Sequence, residues 1–165
     1  MCLPSALMPI ETDVSQAHPY TITSSTFKSS KMQNKNYIDF GSFAEGLAEK
    51  FLEDRGYKIL DRNYRKPWGE VDIIAEKPAF AKDSAGREGI IIFVEVKASD
   101  SPAPKGFEPE KRVNDDKIKR IKRAAQTYIQ QNNLDDRSWQ MDIIAIELNK
   151  DKSAAKITHF KNVFV

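Results

Sequence analysis

Three charged side chains stand where apolar ones are expected: Asp72, Glu95 and Lys97. In Ile90-Ile-Ile-Phe-Val-Glu-Val-Lys97 the run is apolar at every position until Glu95 and Lys97 interrupt it. Side chains alternate along a strand, so Glu95 and Lys97 share a face. A continuous apolar run marks a strand covered on both sides. Charges at its end cost free energy unless paired, hydrated or bound to a metal. In Trp68-Gly-Glu-Val-Asp-Ile-Ile-Ala75, Asp72 lies between Val71 and Ile73 of a second apolar stretch. If the two strands pair as a hairpin, Asp72 reaches the end of the second near Glu95. Two unit charges ~4 Å apart repel by about 4 kcal/mol at an effective dielectric near 20. Such a pair either keeps a proton or takes a cation. Oxygen ligands of this kind suit Mg²⁺ or Mn²⁺. An ion there would polarise a phosphoryl oxygen and acidify water. Lys97 beside it would orient that water or offset developing phosphate charge. The chemistry that fits is hydrolysis of a phosphodiester.

Other acids and bases weigh less. Glu45 is read in two ways, as the carboxylate of a capping box Ser42-Phe-Ala-Glu45 or as a group facing the sheet edge in line with Ala48 and Leu52. Glu70 shares a strand face with Asp72. Asp142 and His159 are expected to be structural, and Trp68 and Trp139 to be packing residues. Residues 111–123 supply local charge. Lys111, Arg112, Lys117, Lys119, Arg120, Lys122 and Arg123 stand against Asp115 and Asp116, a net +5 in a chain whose total is +2. That face is either solvated or binds phosphates.

Elements of an α/β fold would position these groups. Phe43, Ala44, Leu47, Ala48, Phe51 and Leu52 make an apolar helical stripe, closed by Gly56. Strands are expected at 57–64, 68–76 and 90–98, with a loop at 77–89. Asn114 would cap a second helix whose buried face holds Ile118, Ile121, Ala125, Tyr128 and Ile129. Strands at 141–148 and 156–160 complete the order α-β-β-β-α-β-β, a mixed sheet flanked by helices. Residues 1–36, rich in Ser, Thr, Pro, Asn and Gln, read as a flexible tail ahead of a domain at 37–165.

With 165 residues, 40% hydrophobic and 30% charged, the chain suits one domain with a core. The only cysteine is Cys2, so no intrachain disulfide is possible, which fits a reducing cytoplasm. No apolar run approaches the ~20 residues of a spanning helix. Residues 1–27 carry no Lys or Arg, so the basic start of a signal peptide is missing. No Cys/His metal spacing, P-loop or dinucleotide-binding glycine motif is present.

From Gly41 onward the chain resembles the YraN-like family of bacterial endonuclease-like proteins. The matching stretches are Gly41-Ser-Phe-Ala-Glu45-Gly-Leu-Ala48, Arg55-Gly-Tyr-Lys-Ile-Leu60, Arg62-Asn-Tyr-Arg65, Gly69-Glu-Val-Asp-Ile-Ile-Ala75, Val94-Glu-Val-Lys97, and Lys117 through Arg123-Ala-Ala125. The resemblance from Gly41 to the end covers about three quarters of the chain, and its stretches are far more specific than an isolated ExK. The resemblance implies a restriction-endonuclease-like fold with the PD-(D/E)xK pattern, similar in layout to Holliday-junction resolvases. It implies Asp72, Glu95 and Lys97 as catalytic residues. Glu45, Asp72, Glu95 and the carbonyl of Val96 become metal ligands by the same resemblance. Lys117, Lys119, Arg120, Lys122 and Arg123 are then the nucleic-acid contacts. Two departures touch the substrate side. Ala98-Ser99 replaces the usual Thr-Arg after the lysine, and the 77–89 loop is longer than typical.

The leading expectation is a Mg²⁺-dependent endonuclease acting on branched or single-stranded DNA. A non-catalytic nucleic-acid-binding module that keeps the fold is the alternative, and a structural protein with a buried salt-bridge network is a third reading. Cutting both strands of a symmetric substrate would suit a homodimer, although no interface signature is present.

Overall fold

A computed structural model describes residues 12–13, 19–21, 40–77, 89–99, 115–149 and 154–163. In chain order the elements are β1 (Thr12–Asp13), β2 (Pro19–Thr21), α1 (Phe40–Glu53), β3 (Lys58–Lys66), β4 (Gly69–Lys77), β5 (Ile90–Ser99), α2 (Asp115–Gln131), β6 (Trp139–Leu148) and β7 (Ala154–Phe160). The predicted order α-β-β-β-α-β-β is present from α1 onward. Two short strands precede it. Both pair antiparallel with β7, Thr12 opposite Phe160 and Tyr20 opposite Ala155. They hold two and three residues, too few to show a period in the sequence. The rest of the stretch expected to be a tail lies outside the described residues, as do Asn114, Lys111, Arg112 and residues 78–88.

The sheet runs β1-β7-β6-β5-β4-β3, with β2 also on β7. β5 is therefore central, as its apolar run predicts. β3, β4 and β5 form an antiparallel meander, while β5 and β6 run parallel. A parallel pair needs a crossover connection, and α2 lies in it. The edge strand β3 carries Lys58, Asp61, Arg62, Arg65 and Lys66, charges that discourage pairing with another chain.

Two helices cover the two faces. Ala44, Leu47, Ala48, Phe51 and Leu52 of α1 pack on Ile73, Ala75, Ile92, Val94, Ile144 and Ile146. Ile121, Ala124, Ala125, Tyr128 and Ile129 of α2 pack on Val71, Ile74, Ile91, Phe93 and Met141. Neighbouring β5 residues go to opposite clusters, as period 2 demands. Full burial of one such side chain contributes about 1.5–3 kcal/mol, so the β5 run anchors the whole sandwich.

The end of α1 follows its sequence signal. Gly56 has φ 79°. Its N–H donates to the Glu53 carbonyl at 2.9 Å and the Tyr57 N–H to Leu52 at 3.1 Å. That pair of bonds is a Schellman cap, and it turns the chain into β3. The start of α1 differs from expectation. The helix begins at Phe40, so Ser42 sits inside the first turn rather than capping it. The Glu45 carboxylate accepts a hydrogen bond from Asn63 Nδ2 at 2.9 Å, facing β3. Of its two sequence readings, the sheet-facing one describes this geometry.

Candidate metal and phosphodiesterase site

β4 and β5 pair from Lys77–Ile90 to Ile73–Val94 and then stop. The next cross-strand pair would be Asp72 with Glu95. Instead, Asp72 Oδ2 accepts the Val96 N–H at 2.8 Å. The side chain thus closes the gap where the strands part. In an extended strand one residue's N–H and C=O leave the same edge, so the Val96 carbonyl also faces the Asp72 side. Apolar β4 and β5 hold this junction inside the fold, because Ile73, Ile74, Phe93 and Val94 are buried around it.

Glu95 is 4% exposed. Its Oε1 accepts Lys97 Nζ at 2.7 Å and Lys117 Nζ at 3.1 Å. Its Oε2 is buried with no hydrogen-bond partner among the described residues. An unsatisfied buried polar atom costs ~1–3 kcal/mol, more when charged. The strain extends to Asp72, whose carboxyl is pushed up to about 6 from 3.8. Burial is the main cause and the charge of Glu95 the second. Glu45 adds to the rise, while the Val96 N–H and Lys117 oppose it. Two carboxylates are thus held together with one oxygen left over, a donor set that accepts a hard divalent cation. Among the described residues, no three carboxylate, histidine or cysteine side chains converge tightly enough to form a cage by themselves. Mg²⁺ commonly takes one or two carboxylates and leaves other positions to water and phosphate.

The predicted site residues divide into groups. Asp72, Glu95, Val96 and Lys97 meet at the β4–β5 junction, and Glu45 comes within electrostatic reach of Asp72. Four of the five predicted nucleic-acid contacts, Lys119, Arg120, Lys122 and Arg123, are exposed or half-exposed on α2. Lys117 behaves differently. Its ammonium lies between Glu95 and Glu70, 3.4 Å from Glu70 Oε1. Burial alone would lower its pKa, but Glu95, Asp72 and Glu70 together hold it above its usual range. It sits as a half-buried cation against the carboxylates.

Asn63 was not singled out by sequence. Arg62 pairs with Ile73 and Tyr64 with Val71, which sets Asn63 opposite Asp72. Its φ is 49°, a left-handed conformation that Asn tolerates better than most residues. From there its side chain holds Glu45. The available signal was an Asn inside an otherwise strand-like run, a residue depleted in strands.

The uncharacterised protein family UPF0102 matches residues 44–146. A UPF0102 protein of Fervidobacterium nodosum is 40% identical over 124 residues, covering 73% of this chain and 77% of the relative. One of Sulfurihydrogenibium sp. is 34% identical over 125 residues, covering 75% and 92%. Another, of Alkaliphilus oremlandii, is 36% identical over 124 residues, covering 75% and 96%. The matched span contains Glu45, Asp72, Glu95, Val96, Lys97 and the basic face of α2, and the chain belongs to UPF0102, the family of the YraN-like proteins.

Proposed function

We propose that this protein is a metal-dependent endonuclease that hydrolyses DNA phosphodiester bonds at the β4–β5 junction. The observation that carries the reading is the buried Glu95 Oε2, unpartnered among the described residues, beside an Asp72 whose carboxyl is pushed up to about 6 by burial and by Glu95. Asp72, Glu95 and the Val96 carbonyl would hold Mg²⁺ or Mn²⁺, with Glu45 at the edge of the site. Bound there, the ion supplies Lewis acidity toward a phosphoryl oxygen and makes nearby water more acidic. Lys97, its ammonium 2.7 Å from Glu95, would orient the attacking water and offset charge developing on the phosphate. Water oxygen bonds to phosphorus and the bond to one deoxyribose oxygen breaks, leaving one phosphate end and one hydroxyl end. Lys119, Arg120, Lys122 and Arg123 would contact neighbouring phosphates without reading sequence. DNA is the substrate implied by the likeness to junction resolvases, and paired cuts in a symmetric junction would use two copies related by a two-fold axis. No helix among the described residues is long and apolar enough to cross a membrane.

One observation favours a second reading, a nucleic-acid-binding module without catalysis. Lys97 and Lys117 already lie on Glu95 Oε1 and offset its charge. Incubating the purified protein with linear, single-stranded and four-way-junction DNA separates the two. Cleavage that requires Mg²⁺ or Mn²⁺ and disappears in Lys97→Ala is the expected result. Salt-sensitive DNA binding with no cleavage under either metal supports the binding module instead.

A further inference from the structure

Trp68 is the one large hydrophobic residue among the described residues that stands exposed, at 44%. It sits in the two-residue tip between β3 and β4, where Lys66 pairs with Gly69. That tip lies directly on α2. A Cβ added at Gly69 would meet the Arg120 carbonyl oxygen at 2.1 Å, so only glycine allows the approach. The Trp68 Nε1–H donates to Thr127 Oγ1 at 3.2 Å, and that hydroxyl donates to the Arg123 carbonyl at 2.8 Å. The indole is thereby held at its polar edge while much of its apolar ring meets water.

Its surroundings are basic. Arg120, Arg123 and Thr127 follow at spacings of three and four, which places them on one helical face. Trp68 is held on that face at Thr127, and the two arginines follow it toward the start of the helix; both are exposed. Lys66 and Arg65 belong to the same hairpin, with Lys66 Nζ 4.8 Å from the Tyr64 ring centroid. Lys117, beside Glu95, is ten residues before Thr127, about 15 Å along the helix. A basic track with one aromatic ring therefore leads toward the carboxylates.

We propose that Trp68 is a stacking platform for an unpaired nucleotide base, with Arg120 and Arg123 on the adjoining phosphates, so that the strand bound along α2 is single-stranded DNA. In a duplex the base faces are already stacked, so only an unpaired base offers one to the indole. Stacking on an aromatic side chain tolerates any base, and arginines beside the ring add charge attraction. The direction of the strand toward Glu95 rests on the nuclease reading; the platform itself does not.

The test uses the full chain in EDTA, so that binding is read without cleavage. Trp139, half-buried with its ring 5.6 Å from Phe93, is replaced in Trp139→Phe, leaving Trp68 as the reporter. Labelled single-stranded DNA and a blunt duplex of the same sequence are titrated by anisotropy while tryptophan emission is followed. The single strand should quench Trp68 emission as it saturates. Trp68→Ala should weaken single-strand binding about tenfold or more while changing duplex binding far less. Trp68→Phe should recover part of the loss, which separates a lost ring from a disturbed hairpin. Saturation without quenching, or equal losses for single strand and duplex, would overturn the platform. If it falls while the wild type still cleaves DNA with Mg²⁺, the nuclease reading stands alone. If stacking holds and cleavage is absent, the reverse is true.

Discussion

The same sheet buries two acidic centres, and they are finished differently. Asp142 on β6 is 2% exposed and His159 on β7 is 3% exposed. His159 Nε2 lies 2.7 Å from Asp142 Oδ2. Asp142 Oδ1 accepts Gln140 Nε2 and the Asn162 N–H, each at 2.8 Å. Phe51 and Tyr57 close over the imidazole. Every carboxylate oxygen there has a protein partner. At the β4–β5 junction a second carboxylate stands beside the first and Glu95 Oε2 has none. Burial of an acid is thus compatible with a purely structural role. What singles out the junction is the carboxylate oxygen left without a partner although two lysines lie on its twin, a condition a bound cation would relieve.

If the two centres differ in this way, substitutions at them should have opposite consequences. The largest effect belongs to the junction. Glu95→Gln should reduce metal-dependent DNA cleavage on the order of 10³-fold while circular dichroism still reports a folded chain. At the other centre, Asp142→Ala strands the imidazole and the Asn162 N–H in the interior. Denaturant unfolding should show a loss of about 3–5 kcal/mol, with cleavage per folded molecule unchanged. A large loss of cleavage with intact stability would erase the distinction between the centres.

Asp72→Asn gives the sharper contrast because its sign is reversed. Asn keeps an acceptor for the Val96 N–H and removes the repelled charge. The folded-state pKa of Asp72 is about 6, above its ordinary 3.8, so folding disfavours the ionised form. That penalty is fully present above pH 6 and fades as pH falls from about 6 toward 4. In EDTA at pH 8 the variant should be more stable than wild type by on the order of 2 kcal/mol. The gain should shrink through the same window, as thermal melts at several pH values would read. Cleavage should be abolished throughout. The smallest effect lies on the outer face of α2. Arg123→Ala should make the slope of log Kd against log salt shallower by about one unit, with little change in melting temperature.

The contrast also explains which features were legible in the sequence. Asp72, Glu95 and Lys97 stood out because apolar strands make a charge conspicuous, and a strand's period fixes which face it shares. The central place of β5 followed from the same runs, and Gly56 marked the end of α1 because its backbone needs φ near 79°. Lys117 looked like its neighbours, since a helical spacing does not reveal what lies beneath the helix. Trp68 was expected to be packed. Its exposure depends on where a hairpin tip crosses α2, a long-range contact that no local pattern encodes. The capping box around Ser42 did not form as read, because the helix already runs from Phe40. Asp142 and His159 were recognised as structural separately, but their pairing across β6 and β7 is a matter of register.

Titration of the metal-free protein with Mn²⁺ reads out whether the β4–β5 junction holds a cation. At pH 7.5 one equivalent should bind and raise the melting temperature, since an ion that binds only the folded chain adds about 2.7 kcal/mol at a hundredfold excess over Kd. Affinity should fall as pH drops below about 6, where Asp72 takes up a proton. Both the binding and the thermal shift should vanish in Asp72→Asn and in Glu95→Gln. Undetectable binding in the wild type, or binding that survives both substitutions, would contradict a cation site at the β4–β5 junction.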